Sequence, residues 1–299
     1  MNSYLEANAR ERLQHLLDAG SLEEWLPPSA RVISPHLAQL DAPVAFDDGV
    51  VIGRARIAGR NVFVAAQEGG FMGGAVGEVH GAKLVGLLKR AIQDRPEAVL
   101  LLLETGGVRL HEANAGLIAV SEVMRALLAA RAAGIPVIVL VGGANGCFGG
   151  MGIVARCANA ILMSEEGRLA MSGPEVIETA NGVEEFDSRD RALVWRTTGG
   201  KHRYLLGDCQ TIVADSIDAF RAAALAAIDA CSLQPIPLTL AAMEAEQAML
   251  QARINRFGEQ SEPAAIWAAL GIPEPQQLPL LEADAFLATA AAHRLGAPA

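Results

Sequence analysis

Two uninterrupted apolar runs, each followed at once by paired glycines, constrain the fold of this chain more than any other feature. Residues 98–103 lead into ETGG at 104–107, and residues 135–141 lead into GG at 142–143. Such runs predict strands buried on both faces, and the helical periodicity of residues 111–133 predicts a crossover helix between them. This alternation predicts an α/β fold with a parallel sheet and right-handed connections.

The pattern extends in both directions along the chain. Residues 78–94 have the periodicity of a helix, and residues 160–164 form a third apolar strand. Residues 49–67 predict short strands that turn at 58–61. Near the N-terminus, the S-x-x-E spacing at 3–6 has the form of a capping box and predicts the start of a helix.

These elements divide the chain into three segments. Residues 1–45 hold the N-terminal helix and a connecting loop, residues 46–230 hold the α/β core, and residues 231–299 form an Ala- and Pro-rich helical tail. The charged residues 184–203 interrupt the core pattern, and we interpret them as an irregular insertion. The tail is interpreted as an appendage of the core.

Composition excludes several classes of protein. The net charge is -10, from 24 Lys+Arg and 34 Asp+Glu, so the chain lacks the basic surplus that nucleic-acid binding requires. Residues 132–155 carry no charge, but seven glycines and a proline favour a strand and turn over a membrane span. The four cysteines have no metal-ligand spacing, which predicts reduced thiols, no bound metal and a cytoplasmic protein.

The first glycine loop (residues 104–109) and the second glycine loop (residues 142–150) are the candidate site. A strand that delivers Gly-Gly into a helix leaves backbone N–H groups free to bind phosphate or a developing oxyanion. Glycine permits the close approach of a ligand, although a tight turn without a ligand explains either loop by itself. Neither loop matches a phosphate-binding Walker sequence.

Side-chain chemistry is less well supported by the sequence. Glu104 is a candidate general acid, but an ion pair with Arg109 explains it more simply. Cys147 is interpreted as a small buried thiol. The only basic cluster is interpreted as a solvated loop, with a phosphate contact to a carrier's pantetheine arm as the alternative. It comprises Arg189, Arg191, Arg196, Lys201, His202 and Arg203.

An ordered set of motifs over about residues 5–230 resembles the acyl-CoA carboxyltransferase subunits. The sequence GGVRLHE at 106–112 is similar to the Gly-Gly-Ala-Arg-x-Gln-Glu signature of that family. NGCFGG at 145–150 and MSGPEVIE at 171–178 are similar to the second glycine turn and the closing motif of the wider crotonase superfamily. The resemblance implies a crotonase-like ββα spiral, here with a helical C-terminal extension.

Two departures narrow the resemblance. The chain has no four-cysteine zinc ribbon and has room for only one such domain, so it most resembles the β subunits of malonate decarboxylases. That resemblance implies decarboxylation of a malonyl thioester on an acyl carrier protein to the acetyl thioester, with a homologous γ subunit completing the site. It also implies a phosphoribosyl-dephospho-CoA prosthetic group on the carrier and no cofactor on this chain.

Within this reading, the N–H groups of Gly106, Gly107 and Val108 are the predicted catalytic donors. The predicted substrate-binding residues are Gly146, Gly149, Gly150 and Arg109. Val108 and His111 depart from the family signature.

Three alternatives stay open. A biotin-dependent acyl-CoA or acetyl-CoA carboxyltransferase β subunit has the same fold and the same donors. A crotonase-type hydratase or isomerase needs a placed acid, whereas residues 151–153 are Met, Gly and Ile. A non-catalytic assembly subunit needs the glycine loops only as turns.

Overall fold

One seven-stranded sheet organises the computed structural model, which describes residues 2–234 and 238–295. The strands lie side by side in chain order; the first three are antiparallel, and β3 to β7 are parallel. The α/β fold is thereby confirmed. The strands are β1 (Glu23–Trp25), β2 (Val50–Ile57), β3 (Arg60–Gln67), β4 (Ala98–Leu102), β5 (Val137–Val141), β6 (Ala160–Ser164) and β7 (Thr211–Val213).

Twelve α-helices lie in the part of the chain that the structure describes. In chain order they are α1 (Ala9–Leu16), α2 (Pro35–Gln39), α3 (Glu78–Asp94), α4 (Asn114–Ala132), α5 (Gly150–Arg156), α6 (Pro174–Asn181), α7 (Arg191–Thr198), α8 (Gly200–Leu205), α9 (Ile217–Leu233), α10 (Leu240–Phe257), α11 (Pro263–Ala269) and α12 (Ala283–Ala290). No described helix is both long and apolar enough to cross a lipid bilayer.

The core has two layers, one on each face of the sheet. Strands β4, β5 and β6 are buried along their whole length, which explains their unbroken apolar sequence. Helices α3 and α4 pack in the larger cluster, with Leu88 and Val123 among its members, whereas α1 and α9 supply Leu13 and Phe220 to the other. Trp267 of the tail also belongs to the larger cluster, so the tail packs into the core.

The N-terminal segment is bound to a region more than two hundred residues away in sequence. The Asn2 carbonyl accepts a hydrogen bond from the Ile217 N–H at 2.8 Å. The Ser3 hydroxyl donates to Asp215, and the Leu5 N–H donates to the same carboxylate at 2.8 Å. These bonds fix the start of the chain beside α9.

The first helix begins later than the sequence predicted. Asn8 caps α1 and forms a capping box with Glu11, whereas Ser3 binds Asp215 instead of starting a helix. Tyr4 is fully buried, with its ring 4.1 Å from that of Phe220, and this packing holds residues 3–6 in turns. The Glu6 N–H does donate to the Ser3 hydroxyl at 3.1 Å, but no helix follows, so the predicted helix start at 3–6 is wrong.

Other differences have simple physical causes. Strands β1 and β7 are three residues each, too short to show an alternating pattern. The helix predicted over 111–133 begins at Asn114, because Ala113 has φ 46° and breaks it from the preceding 3₁₀ turn. The segment 184–203 is not irregular throughout: it contains α7 and most of α8, with Val194 and His202 buried.

Candidate functional site

The two glycine loops lie against each other beyond the carboxyl ends of β4 and β5. The Thr105 N–H donates to the Gly146 carbonyl at 2.8 Å, and the Phe148 N–H donates to the Thr105 carbonyl at 2.9 Å. A Cβ built on Gly149 would lie 3.0 Å from the Cα of Gly107. The structure therefore brings the two predicted loops together as one surface.

Hydrogen bonding separates the predicted donors of the first glycine loop. The Gly106 N–H donates to the Gly73 carbonyl at 2.8 Å, and the Gly107 N–H donates to the Thr105 hydroxyl at 3.1 Å. The Val76 N–H donates to the Gly107 carbonyl, and the Val76 carbonyl accepts from the Arg109 N–H. These two bonds form a parallel bridge between Val76 and Val108, and the Val108 N–H points to the opposite side. Within the described residues, the Val108 N–H has no acceptor and is the available donor of this loop.

The second glycine loop offers a matching donor at the start of α5. Gly149 is the N-cap with φ 65° and provides no side chain to cap the helix. Gly150 is the first helical residue, where N–H groups lack intrahelical partners, and its N–H has no acceptor among the described residues. The Gly146 and Gly149 N–H groups donate to the carbonyls of Gly143 and Met171, so these two glycines shape the loop.

Arg109 lies behind the first glycine loop and is 1% exposed. Its guanidinium donates to the Asp48 carboxylate at 2.7 Å, to the Glu112 carboxylate at 3.1 Å and to the Ala75 carbonyl at 3.0 Å. A side chain with these buried partners anchors the end of the loop. In the described structure Arg109 does not reach the surface that the glycines present.

Glu104 does not pair with Arg109, contrary to the interpretation from sequence. Its carboxylate forms a buried ion pair with Arg12 of α1. It also accepts hydrogen bonds from the backbone N–H and the side-chain amide of Asn145, at 3.2 and 3.4 Å. Sequence reasoning missed Arg12, because a residue 92 positions away gives no local signal of such a pair.

The family model of the carboxyl transferase domain matches residues 6–222. This chain belongs to the carboxyl transferase family. It is 41% identical to the malonyl-S-ACP:biotin-protein carboxyltransferase MADC of Malonomonas rubra, over 96% of this chain and 95% of that protein.

Among solved structures, the chain is similar to subunits of malonate decarboxylases. A Pseudomonas malonate decarboxylase hetero-tetramer in complex with malonate matches with a TM-score of 0.73 and 43% identity, over 77% of this chain and 84% of that chain. The Pseudomonas malonate decarboxylase MdcD–MdcE hetero-dimer matches with a TM-score of 0.66 and 36% identity, over 84% and 96%. These matches confirm the crotonase-like fold, the resemblance to malonate decarboxylases and the enzyme class, and favour the decarboxylase over the acyl-CoA carboxyltransferase.

Large apolar side chains surround the loops of this carboxyl transferase domain and face solvent. Leu110 follows the first glycine loop and is 89% exposed, and Met171, whose carbonyl binds Gly149, is 71% exposed. Leu117 and Ile118 on α4 and Ile153 on α5 are also exposed. We call these five side chains the apolar rim; exposed apolar groups that cluster beside a site are typical of a protein interface.

Two titratable groups near the loops, His80 and Cys147, are fully buried and unsuited to acid–base or nucleophilic work. Burial lowers the pKa of His80 to about 3, and its ring contacts Gln67 and the Asp48 carbonyl at 3.1 Å each. Burial raises the pKa of the Cys147 thiol to about 12, which agrees with the prediction of a small buried thiol. Within 2–234 and 238–295, no three His, Cys, Asp or Glu side chains cluster as metal ligands do.

The basic cluster predicted over 189–203 is dispersed in the structure. Arg203 pairs with Asp208 at 3.2 Å, and Lys201 donates to the carbonyls of Pro279 and Leu281. His202 is buried and accepts a hydrogen bond from the Trp267 indole at 3.1 Å. Lys201 and His202 thus bind the tail to the core, and Arg203 is paired within the core, whereas Arg189 and Arg191 remain exposed.

Proposed function

We propose that this chain is the β subunit of a malonate decarboxylase, and that it supplies half of a site for a malonyl thioester on an acyl carrier protein. The observation that carries the proposal is the meeting of the two glycine loops, which leaves the N–H groups of Val108 and Gly150 without acceptors among the described residues. The 41% identity to a relative named for malonyl-S-ACP supports this choice of substrate.

The chemistry of the reaction explains why such donors suffice. Breaking the bond between the carboxylate and the α-carbon releases CO₂ and leaves the electron pair on the thioester as an enolate. Protonation of the α-carbon then gives the acetyl thioester. The negative charge moves onto the thioester oxygen, so the enzyme gains rate by stabilising that oxygen more in the transition state than in the ground state.

The Val108 and Gly150 N–H groups are our proposed donors to this oxygen. Backbone donors fixed before the reaction need no reorganisation as charge develops, and one such donor is typically worth about 3–4 kcal/mol. Gly107 has φ 140°, a conformation that favours glycine, and a Cβ added there would meet no atom within 4 Å. The first loop therefore leaves room for a ligand at this residue. Bond cleavage itself requires no side-chain base, so the buried state of His80 is compatible with this mechanism.

We further propose that a homologous γ subunit covers the apolar rim formed by Leu110, Leu117, Ile118, Ile153 and Met171. The carboxylate of the substrate and the proton donor to the enolate are then contacted from the γ side. In support, both matched Pseudomonas proteins are hetero-oligomers by description. Burial of these five side chains removes apolar surface from water directly beside the two donors.

The thioester reaches this site on a carrier. We propose that the carrier is an acyl carrier protein whose arm is a phosphoribosyl-dephospho-CoA group, so that this chain itself holds no cofactor. We also propose a cytoplasmic location, in keeping with four cysteines that are all free thiols.

A second candidate has support from the same relative. MADC of Malonomonas rubra is named as a carboxyltransferase to a biotin protein, so transfer of the carboxyl group to biotin is the competing activity. Both activities pass through the same enolate and use the same two donors. They differ only in the fate of the carboxyl group.

The deciding experiment co-expresses this chain with its γ and carrier subunits, adds a biotinylated acceptor protein, and measures CO₂ release from malonyl thioester with and without avidin. A decarboxylase releases CO₂ at the same rate in both conditions. Loss of release on adding avidin supports the biotin carboxyltransferase. No consumption of the thioester in either condition contradicts both.

A further inference from the structure

We propose that Glu104 is a positioning residue that fixes the two glycine loops at one separation, and that Arg12 balances the negative charge of its carboxylate. This proposal rests on the function proposed above. Glu104 is 5% exposed and is the first residue of the first glycine loop, so its backbone moves with that loop.

The carboxylate of Glu104 reaches across to the second glycine loop. One of its oxygens accepts both hydrogen bonds from Asn145, whose side-chain amide also donates to the Gly69 carbonyl at 3.0 Å. The Glu104 N–H donates to the Gln67 side chain at 3.0 Å. Glu104 therefore links the chain segments at the carboxyl ends of β3, β4 and β5.

The surrounding backbone is shaped to admit this carboxylate. A Cβ on Gly69 or on Gly143 would overlap the Glu104 carboxyl group. Neither glycine has a positive φ, so the requirement at these positions is space and not backbone conformation. Glycine at these two positions leaves the space that the Glu104 carboxylate occupies.

Arg12 makes a buried charge tolerable at this place. It is 1% exposed, its ion pair is made to the other oxygen of Glu104, and its Nε–H donates to the Tyr4 carbonyl at 2.8 Å. An unneutralised carboxylate behind the loops would repel an enolate that forms in front of them. The pair thus holds the donors in place without opposing the charge they stabilise.

The experiment uses the assembled complex with Glu104→Gln, which keeps the shape and removes the charge. Asp208→Asn is the matched control, because Asp208 is also a buried carboxylate held by arginines, here Arg203 and Arg253. Two quantities are measured: the split between kcat and KM for malonyl thioester, and amide hydrogen exchange in residues 105–109 and 143–150.

We expect Glu104→Gln to lower kcat about tenfold or more with KM within about threefold, because small displacements of catalytic groups cost that much. Exchange in both loops accelerates, whereas Asp208→Asn changes neither quantity there. If Glu104→Gln does not assemble, Asn145→Ala takes its place, because it removes only the side-chain donor to Glu104. A comparison of Arg12→Lys with Arg12→Met then tests whether a positive charge at position 12 restores kcat.

Wild-type kcat in an assembled variant overturns the proposal, whether or not exchange in the loops accelerates. Unchanged exchange in both loops also overturns it. If the wild-type complex consumes no malonyl thioester, the proposed function fails, and the exchange measurement still decides whether Glu104 fixes the loops.

Discussion

Gly149 lies so close to Gly107 that a Cβ on Gly149 would be 3.0 Å from the Gly107 Cα. This contact sets the separation of the two glycine loops, and therefore the separation of the two proposed donors. An added methyl group must push the loops apart by a few tenths of an ångström.

Gly149→Ala therefore tests the donor pair. We expect turnover of malonyl thioester by the assembled complex to fall about 10- to 100-fold, since misplaced oxyanion donors have effects of this size. Gly59→Ala is the matched control, because Gly59 also has a positive φ, at 77°, but an added Cβ meets nothing within 4 Å. It should cost about 1 kcal/mol of stability and leave turnover unchanged. Equal turnover in the two variants contradicts the assignment.

Arg109→Met should destabilise the protein strongly. The substitution leaves Asp48 and Glu112 buried without their shared cation, and breaking a buried pair in this way typically costs about 3–5 kcal/mol. Urea unfolding followed on this chain measures the loss. Arg125→Met, which breaks the exposed pair with Glu122, should leave the unfolding midpoint unchanged. A midpoint for Arg109→Met equal to that of the control shows that Arg109 is not an anchor.

His80 makes stability depend on pH in a defined window. Its pKa is about 3 in the folded protein and 6.5 ordinarily, so the unfolded chain takes up the proton first as the pH falls. Stability contributed by the neutral ring is therefore lost as the pH drops from 6.5 toward 3. Between pH 7 and pH 5 this amounts to about 2 kcal/mol.

The measurement compares unfolding free energies of His80→Gln and wild type at pH 7 and pH 5. The variant should lose about 2 kcal/mol less than wild type over this interval. His111→Gln alters an exposed side chain and serves as the control for histidine removal. An identical pH slope in all three proteins argues against a buried neutral His80.

Ile118→Glu should prevent assembly with the γ subunit. Ile118 is 61% exposed on α4, and a carboxylate buried at an interface without a partner is strongly unfavourable. Light scattering on the co-expressed proteins measures the loss of the complex. Leu280→Glu changes a side chain that is 75% exposed elsewhere and should assemble as wild type does. Normal assembly of Ile118→Glu removes the rim from the proposed interface.

Local sequence was sufficient for the elements whose burial is uniform. Helix α3 spans Glu78–Asp94 and strand β6 spans Ala160–Ser164, as predicted, because their periodicity and apolar content leave little choice. The sequence also placed each glycine loop directly after its buried strand, and the pairing of β4 with β5 seen in the structure brings the two loops together. These features depend on residues close together in the chain.

The charged contacts behind the loops could not be obtained in this way. Arg12 lies in the predicted N-terminal helix, where nothing in the sequence singles it out, and the nearest arginine to Glu104 in the sequence is Arg109. Which buried charges meet is decided by how α1 packs across β2 and β3, and residue spacing does not reveal that packing. The free state of the Val108 N–H likewise depends on a bridge to Val76, a residue outside both loops.

The bonds that tie Asn2, Ser3 and Leu5 to residues near position 217 have a consequence for biosynthesis. A growing chain releases its first residues long before Asp215 and Ile217 leave the ribosome, so α1 can pack on β2 and β3 early in translation but makes its contacts with α9 only late. Arg12 can meet Glu104 only when α1 docks. The segment that leads into α1 is thus the first part of the chain to be made and among the last to be held in place.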